Sequence, residues 1–119
     1  MPPRTISFTI RKPTSSVIAL ESYRGRGVFK DTVWRAPAGL DRMRHALSPA
    51  DRHLVELLEA KRFVEFCVEA VACRKNIVPV GDTGSGKTTF TKSLSLHIGK
   101  TERVITSEDV RELFLPHLK

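Results

Sequence analysis

The stretch Gly81-Asp82-Thr83-Gly84-Ser85-Gly86-Lys87-Thr88 decides how the rest of the chain is interpreted. It fits the pattern G-x-x-x-x-G-K-[ST] of a phosphate-binding loop. At ordinary amino-acid usage a chain of 119 residues would match by chance about one time in 300, so a random match is disfavoured. A short apolar segment, residues 76–80, precedes the loop, and residues 88–98 can form a helix. Strand, glycine loop and helix are the order that this motif requires.

The loop residues predict a site for the phosphates of a nucleotide. Glycines allow positive φ, so successive backbone N–H groups converge on one concavity at the positive end of the following helix. Lys87 adds a charge at the β- and γ-phosphates, the Thr88 hydroxyl is placed to ligate Mg²⁺, and Thr89 is a candidate contact to the α-phosphate. The predicted nucleotide-binding residues are Gly81, Asp82, Thr83, Gly84, Ser85, Gly86, Lys87, Thr88 and Thr89.

Two residues fit this interpretation less well. The Asp82 carboxylate would repel phosphate, so we expect it to point into water from a variable position of the loop. Pro79 removes a backbone donor from the predicted strand, which is normally tolerated at an edge or a bulge. The alternative is a glycine-rich turn before a helix, with Lys87 solvated in the first turn. The flanking segments favour the phosphate site.

Length and composition indicate a single domain with a basic surface. The chain has 119 residues, a net charge of +7 and a sequence pI of about 9.9. This charge permits a nucleic acid, an anionic lipid or a nucleotide as partner, but the basic residues are dispersed, which favours a generally basic surface. Cys67 and Cys73 are too few for a disulfide framework and are interpreted as small apolar residues in a reducing compartment. Neither a signal peptide nor an apolar run of membrane-spanning length is visible.

The N-terminal third contains one predicted strand and one short helix. Residues 5–11 alternate strictly between apolar and polar side chains, which predicts a half-buried strand that Pro13 ends. Residues 19–23 are predicted to be helical. Residues 29–41 lack periodicity, and within them Trp34 is interpreted as a packing residue in preference to a base-stacking platform, because no second aromatic accompanies it.

The remainder predicts helices around one β-loop-α-β unit. Ser48, Pro49 and Asp51 form a good helix start, and apolar residues recur at helical spacing from there to residue 71, as one long helix or two short ones. After the loop we expect a helix over residues 88–98 with Gly99 as its C′ residue. Residues 104–106 predict a second strand, joined by a right-handed crossover, and residues 110–115 predict a last helix.

Two carboxylates, Glu108 and Asp109, directly follow the second predicted strand. Residues at the carboxyl ends of strands line the ligand crevice of open parallel sheets, so both are candidates for water activation or Mg²⁺ contact. The alternative is that they cap the next helix. The spacing alone does not separate these two roles.

Several stretches resemble one known family. These are Lys75-Asn76-Ile77, the loop through Thr89, and residues 102–113, which read Glu-Arg-Val-Ile-Thr-Ser-Glu-Asp-Val-Arg-Glu-Leu. Residues 7–12, Ser-Phe-Thr-Ile-Arg-Lys, add to the likeness. Together they are similar to the Vir-type traffic ATPase of bacterial type IV secretion and conjugative transfer systems, in the secretion-ATPase superfamily. Residues 102–113 do most to separate this family from other proteins with the same loop.

The resemblance implies a fold and a site. The fold class is α/β, with a partial RecA-like core of one β-loop-α-β unit, preceded by helix and by a fragment of an α+β N-terminal domain. We expect a remnant of that domain at residues 1–35, a linker at 36–47 and the start of the incomplete nucleotide-binding domain at 48–119. Lys87 and Glu108 would be catalytic, with Glu108 polarising the attacking water, Arg111 near the nucleotide and Thr88 on the metal.

The resemblance also implies cofactors and partners. They are ATP and Mg²⁺, a homo-oligomer that is hexameric in the family, and other inner-membrane components of the secretion system. The expected location is the cytoplasm, at the cytoplasmic face of the inner membrane, which is compatible with peripheral membrane association. Residues 102–113 correspond to the family's aspartate box.

Three functional hypotheses follow. The first is the ATP-binding portion of a secretion ATPase that drives pilus assembly or substrate transfer. The second is a truncated, non-catalytic remnant that binds nucleotide weakly or only contacts other subunits, because we find neither a Walker B strand nor a histidine box. Whether this chain hydrolyses ATP therefore stays open. The third, a nucleic-acid-binding module, is disfavoured because a basic face with stacking aromatics is missing from the sequence.

Overall fold

The computed structural model describes residues 16–109 and 111–115, which form five α-helices and one 3₁₀ turn. The helices are α1 (Leu20–Gly25), α2 (Leu40–Met43), α3 (Pro49–Glu59), α4 (Phe63–Ala72) and α5 (Lys87–Ser95), and the 3₁₀ turn is Arg44–Ala46. No residue in the described ranges belongs to a β-strand. The strand predicted at residues 5–11 lies outside those ranges. The helix predicted at residues 19–23 is confirmed as α1.

Helices α1, α4 and α5 meet in a small apolar core. Each contributes one buried residue, and Leu20, Val64 and Leu94 are 2%, 3% and 6% exposed. Partly buried apolar side chains pack around them, namely Tyr23, Phe29, Cys67, Val68, Val71 and Phe90. Burying one large aliphatic side chain contributes about 2 kcal/mol, so these contacts hold α5 against the other two helices.

The two cysteines, Cys67 and Cys73, are free thiols. Burial raises the pKa of Cys67 to about 11, so this thiol stays protonated and packs as a small apolar side chain.

Aromatic rings connect the turn after α1 to the rest of the core. The ring of Tyr23 meets the ring of Phe90 edge to face, with centroids 5.7 Å apart. Phe29 lies 6.3 Å from Tyr23 and 6.0 Å from Phe63, measured between ring centroids. Trp34 is half-buried, and its Nε1 is shielded from solvent with no hydrogen-bond partner among the described residues. This burial fits the packing role expected for Trp34.

Helix α3 begins where the sequence predicts. The Ser48 hydroxyl accepts a hydrogen bond from the Asp51 N–H at 3.1 Å and donates to the Asp51 carboxylate at 2.6 Å. Pro49 occupies the first helical position, where its missing N–H has no cost. The apolar repeat predicted as one helix or two is divided into α3 and α4.

Helices α3 and α4 end in the same way. In each case the residue after the C-cap has a left-handed backbone, with φ of 56° at Lys61 and 54° at Arg74. The Lys61 N–H bonds to the Leu58 carbonyl at 3.0 Å, and the Arg62 N–H bonds to the Leu57 carbonyl at 2.8 Å. This pair of bonds is a Schellman motif, which normally places glycine at the left-handed residue.

The Schellman motif of α3 predicts that Lys61→Gly stabilises the protein. A residue with a side chain loses about 1–2 kcal/mol in a left-handed conformation, and glycine avoids this loss. Glycine also gives the unfolded chain more conformational entropy, which offsets part of the benefit. The expected net stabilisation is about 0.5 kcal/mol. The measurement is the free energy of unfolding in urea. Arg52→Gly, at an exposed position inside α3, is the matched control and should destabilise by about 1 kcal/mol. A loss of stability in Lys61→Gly would contradict the strain argument.

Ion pairs tie the segment after α4 to the rest of the fold. Lys75 Nζ lies 2.6 Å from an Asp51 carboxylate oxygen, which joins the end of α4 to the start of α3. Arg74 lies 2.7 Å from the Glu102 carboxylate. Hydrogen bonding from Lys75, and then from Ser48, holds the pKa of Asp51 below its ordinary value, and Asp51 in turn raises the pKa of Lys75.

The Asp51–Lys75 pair predicts a pH-dependent contribution to stability. Because the pKa of Asp51 is lowered in the folded state, the contribution is present above the ordinary aspartate value of 3.8 and is lost as the pH falls through the lowered value. Lys75→Met should therefore lower the urea midpoint more at about pH 6 than at about pH 2. An equal difference at both pH values would show that Lys75 acts through packing alone.

The two segments predicted as strands around the loop have no regular secondary structure. Residues 75–82 and 103–108 carry neither helix nor strand, so the described residues contain the loop and helix of the predicted β-loop-α-β unit without its strands. Their apolar side chains face solvent, with Val78 80%, Val80 88% and Ile105 79% exposed. A strand needs a hydrogen-bonded neighbour, and these segments have none in the described ranges. The α/β fold class therefore stays a prediction.

The last two predicted helices differ from the structure. Helix α5 ends at Ser95, not at residue 98, and the Gly99 backbone is not left-handed, so Gly99 is not its C′ residue. Residues 111–115 are not helical, so the described part of the helix predicted at 110–115 is absent.

Candidate functional site

The glycine loop leads directly into α5. Gly84 and Gly86 have φ of 77° and 91°, a backbone region that other residues rarely adopt. Gly86 is the N-cap of α5, and Lys87 is the first helical residue. The loop therefore places its last residues at the positive end of a helix, where free N–H groups favour anions.

The start of the loop folds tightly against its middle. A Cβ atom added to Gly81 would lie 2.6 Å from the Ser85 hydroxyl oxygen, so only glycine fits there without displacing Ser85. The Ser85 N–H donates to the Asp82 carbonyl at 3.1 Å. Asp82 and Thr83 are exposed, and Asp82 lies at the surface as expected.

The Lys87 ammonium folds back over the loop. Its Nζ donates to the carbonyl oxygens of Gly81 at 2.7 Å and Asp82 at 2.6 Å. These acceptors are neutral, so the positive charge of Lys87 is not neutralised by them. A phosphate oxygen would be a stronger partner, because hydrogen bonds between charged groups are roughly twice as strong as neutral ones.

The Thr88 hydroxyl already has a partner. It donates to the Glu112 carboxylate at 2.8 Å. Thr89 is half-buried, and its carbonyl accepts a hydrogen bond from Ser93 at 2.9 Å within α5.

Glu108 is held by the backbone that follows it. Its carboxylate oxygen Oε2 accepts hydrogen bonds from the N–H groups of Glu112 and Leu113, each at 2.8 Å. These bonds, with a smaller attraction from Arg111, hold the pKa of Glu108 below its ordinary value. The carboxylate thus stays ionised and draws residues 112 and 113 back to residue 108 in a turn, a capping role without a helix.

A cavity of about 300 Å³ connects the loop with this turn. It is lined by Pro79, Lys87, Thr88, Thr91, Glu108, Glu112 and Leu113. The predicted site residues Lys87, Thr88 and Glu108 are therefore brought together. Asp109 and Arg111 are exposed and do not line the cavity.

The residues present fit Mg²⁺ only as a partner of a bound phosphate. Among the described residues, no three His, Cys, Asp or Glu side chains are grouped to hold a metal ion. Mg²⁺ commonly binds through one or two protein groups together with phosphate oxygens and water, and the Thr88 hydroxyl beside Glu112 suits that arrangement.

Sequence comparison relates the chain to secretion proteins. It is 42% identical to the type IV secretion system protein VirB11 of Bartonella henselae and 43% identical to that of Brucella suis, each over 94% of this chain. It is 32% identical to the protein VirB11 of Rhizobium radiobacter over 98% of this chain. The chain is a homologue of the VirB11 proteins. It spans about a third of their length, 32%, 29% and 33% respectively.

The other comparisons add no further relationship. No family model matches the chain, and no solved structure matches it. Among the helices of residues 16–109, none has the length and apolar character needed to cross a membrane. The relationship to VirB11 therefore rests on sequence.

Sequence reasoning missed Glu112 in this VirB11 homologue. Thr91 and Leu113 also line the cavity without having been predicted. The sequence signal that could have identified Glu112 is its spacing of four residues from Glu108. In a compact turn this spacing brings the second carboxylate near the first. Which partner Glu112 meets depends on how that turn packs against α5.

The left-handed backbone of Gly86 predicts that Gly86→Ala destabilises the protein. A Cβ atom would meet nothing within 4 Å, so the cost of about 1–2 kcal/mol comes from the backbone alone. Gly25→Ala is the matched control, since that glycine also has open space but lies in α1 without a positive φ, and it should be neutral or stabilising. Thermal unfolding followed by circular dichroism measures both, and equal effects would contradict the assignment.

Proposed function

We propose that this chain is the ATP-binding portion of a type IV secretion ATPase that couples ATP hydrolysis to pilus assembly or substrate translocation. The observation that carries the proposal is the placement of Lys87 and Thr88 at the N-terminus of α5, behind two left-handed glycines. The similarity to VirB11 proteins of type IV secretion systems supports this proposal.

In this proposal the loop binds the phosphates and neutralises their charge. Backbone N–H groups at the start of α5 donate to phosphate oxygens, and Lys87 exchanges its two carbonyl acceptors for charged oxygens. Thr88 and phosphate oxygens would hold Mg²⁺, which when bound supplies further charge neutralisation. Glu108, ionised and fixed by two N–H groups, orients the attacking water.

The α/β, RecA-like fold is part of the proposal. Segments 75–82 and 103–108 flank the loop and its helix, and they expose Val78, Val80 and Ile105. Apolar side chains of this kind are typical of strands in parallel sheets that are covered on both faces. We therefore infer that they pair with further strands of a RecA-like sheet. We also infer a homo-oligomer, hexameric as in the family, at the cytoplasmic face of the inner membrane with other secretion components.

A second candidate function is nucleotide binding without turnover. It is favoured by the state of Glu108, whose lowered pKa makes it a weak base and whose Oε2 already accepts two hydrogen bonds. In that case the chain would serve as a nucleotide-dependent contact between subunits. Binding and hydrolysis therefore have to be measured separately.

We expect the chain to bind ATP in the presence of Mg²⁺, and we expect Lys87→Ala to weaken that binding about tenfold or more. The reason is the loss of the one side-chain ammonium that lines the loop cavity among residues 16–109 and 111–115. Isothermal titration calorimetry gives the dissociation constants, and a phosphate-release assay on the same samples gives turnover.

Lys100→Ala is the matched control, because Lys100 is exposed and does not line the cavity. It should bind ATP like the unaltered chain. Identical binding by the unaltered chain and by Lys87→Ala would overturn the nucleotide site. Binding without phosphate release would favour the second candidate function.

A further inference from the structure

A second cavity, of about 430 Å³, lies between the turn after α1 and the start of α4. Its volume is in the range of ordinary ligand sites. It is lined by Arg24, Gly27, Phe29, Lys30, Lys61, Arg62, Phe63, Val64 and Glu65. The lining thus holds four cationic side chains and one carboxylate. The cavity at the glycine loop, by comparison, combines one lysine with two carboxylates, so the excess of positive charge distinguishes the second cavity.

The one carboxylate in the lining shows which anion the two arginines accept. One Glu65 oxygen lies 2.8 Å from Arg24 Nη2, and the other lies 3.4 Å from Arg62 Nη2. The N–H of Glu65 itself, followed by Arg24 and Arg62, holds the pKa of this carboxyl below its ordinary value, so it stays ionised. Two guanidinium groups, one from α1 and one from the start of α4, therefore converge on a single carboxylate.

Most of the positive charge in the cavity is left over after this pairing. Lys30 and Lys61 are exposed, and neither forms an ion pair within the described part of the chain. Residues 62–65 are the N-cap and first turn of α4, whose backbone N–H groups add partial positive charge. The side chains of Arg24 and Arg62 are 50% and 58% exposed, so an incoming anion can reach them.

The surroundings of these cations favour peptide carboxylates over other polyanions. Phe63 is only 8% exposed and Phe29 is half-buried, so their ring faces are not available for stacking nucleic-acid bases. A cavity of about 430 Å³ is also too small for a duplex. An anionic membrane is a flat surface, whereas the arginines here converge on one point in a recess. A short segment with neighbouring acidic side chains matches both the size and the charge of this cavity.

We propose that this cavity binds a short acidic segment of a partner protein. Carboxylates of that segment contact Lys30, Lys61 and Arg62, and Glu65 acts as an internal carboxylate that competes for the arginines. The site is separate from the glycine loop, with which it shares no lining residue.

The first test uses the fluorescein-labelled peptide Glu-Glu-Leu-Glu-Glu and its neutral analogue Gln-Gln-Leu-Gln-Gln. Fluorescence anisotropy at about 50 mM salt, where surface charges are weakly screened, gives the dissociation constants. We expect the double variant Lys30→Gln/Arg62→Gln to bind the acidic peptide about tenfold more weakly than the matched control Lys100→Gln/Arg103→Gln. Both double variants lose two positive charges, but Lys100 and Arg103 are exposed outside the cavity.

The second test is a gain of affinity, which a folding defect does not produce. Glu65→Gln removes the competing carboxylate, so we expect it to bind the acidic peptide about threefold more tightly than the unaltered chain. Glu102→Gln is its control, because Glu102 also pairs with an arginine, Arg74, but lies outside the cavity. It should tighten binding by less than Glu65→Gln does.

Three results would overturn the proposal. They are equal dissociation constants for the two double variants, equal binding of the acidic and neutral peptides, and equal effects of Glu65→Gln and Glu102→Gln. A 12-base-pair duplex or phosphatidylglycerol vesicles that respond to Lys30→Gln/Arg62→Gln when the peptide does not would show that the cavity serves another anion, and the proposal would fail. These titrations contain no nucleotide, so their failure leaves the proposed function unaffected.

Discussion

The packing of α5 against α1 and α4 is the constraint on which the candidate site depends. Leu94 and Phe90 attach α5 to the core through Leu20, Val64 and Tyr23. Because α5 begins at Lys87, these contacts also fix the direction of its positive end and the place of its first turn. The left-handed backbones of Gly84 and Gly86 then let the preceding loop fold back toward the start of α5. The residues predicted to contact phosphate and the residues that pack into the core therefore belong to the same helix.

The features that the sequence predicts well depend on contacts between residues that are close together in the sequence. Ser48 and Pro49 start α3 through contacts within one turn, and the glycines of the loop set the start of α5 through their own backbone angles. The sequence does not show where α3 ends and α4 begins, and the reason is physical. Lys61 takes a left-handed backbone without being glycine, so the usual sequence signal of a helix end is missing there.

The features that it predicts poorly depend on partners far away in the sequence. Glu112 meets Thr88 only because the turn held by Glu108 packs against α5, and no periodicity reports such a contact. Residues 76–80 and 104–106 have the composition of strands, but pairing requires a neighbour that the described residues do not provide. Residues 102–113 are informative in another way, since their sequence alone indicates the relationship to VirB11 proteins.

The exposed side chains of Val78, Val80 and Ile105 also govern how the protein behaves in concentrated solution. Solvent-exposed apolar segments attract one another, whereas the net charge of +7 keeps separate molecules apart. Salt screens that repulsion, and sulfate in particular strengthens apolar association. The colloidal stability of the chain is therefore greatest at low ionic strength and away from its isoelectric point, where electrostatic repulsion outweighs the attraction between these segments.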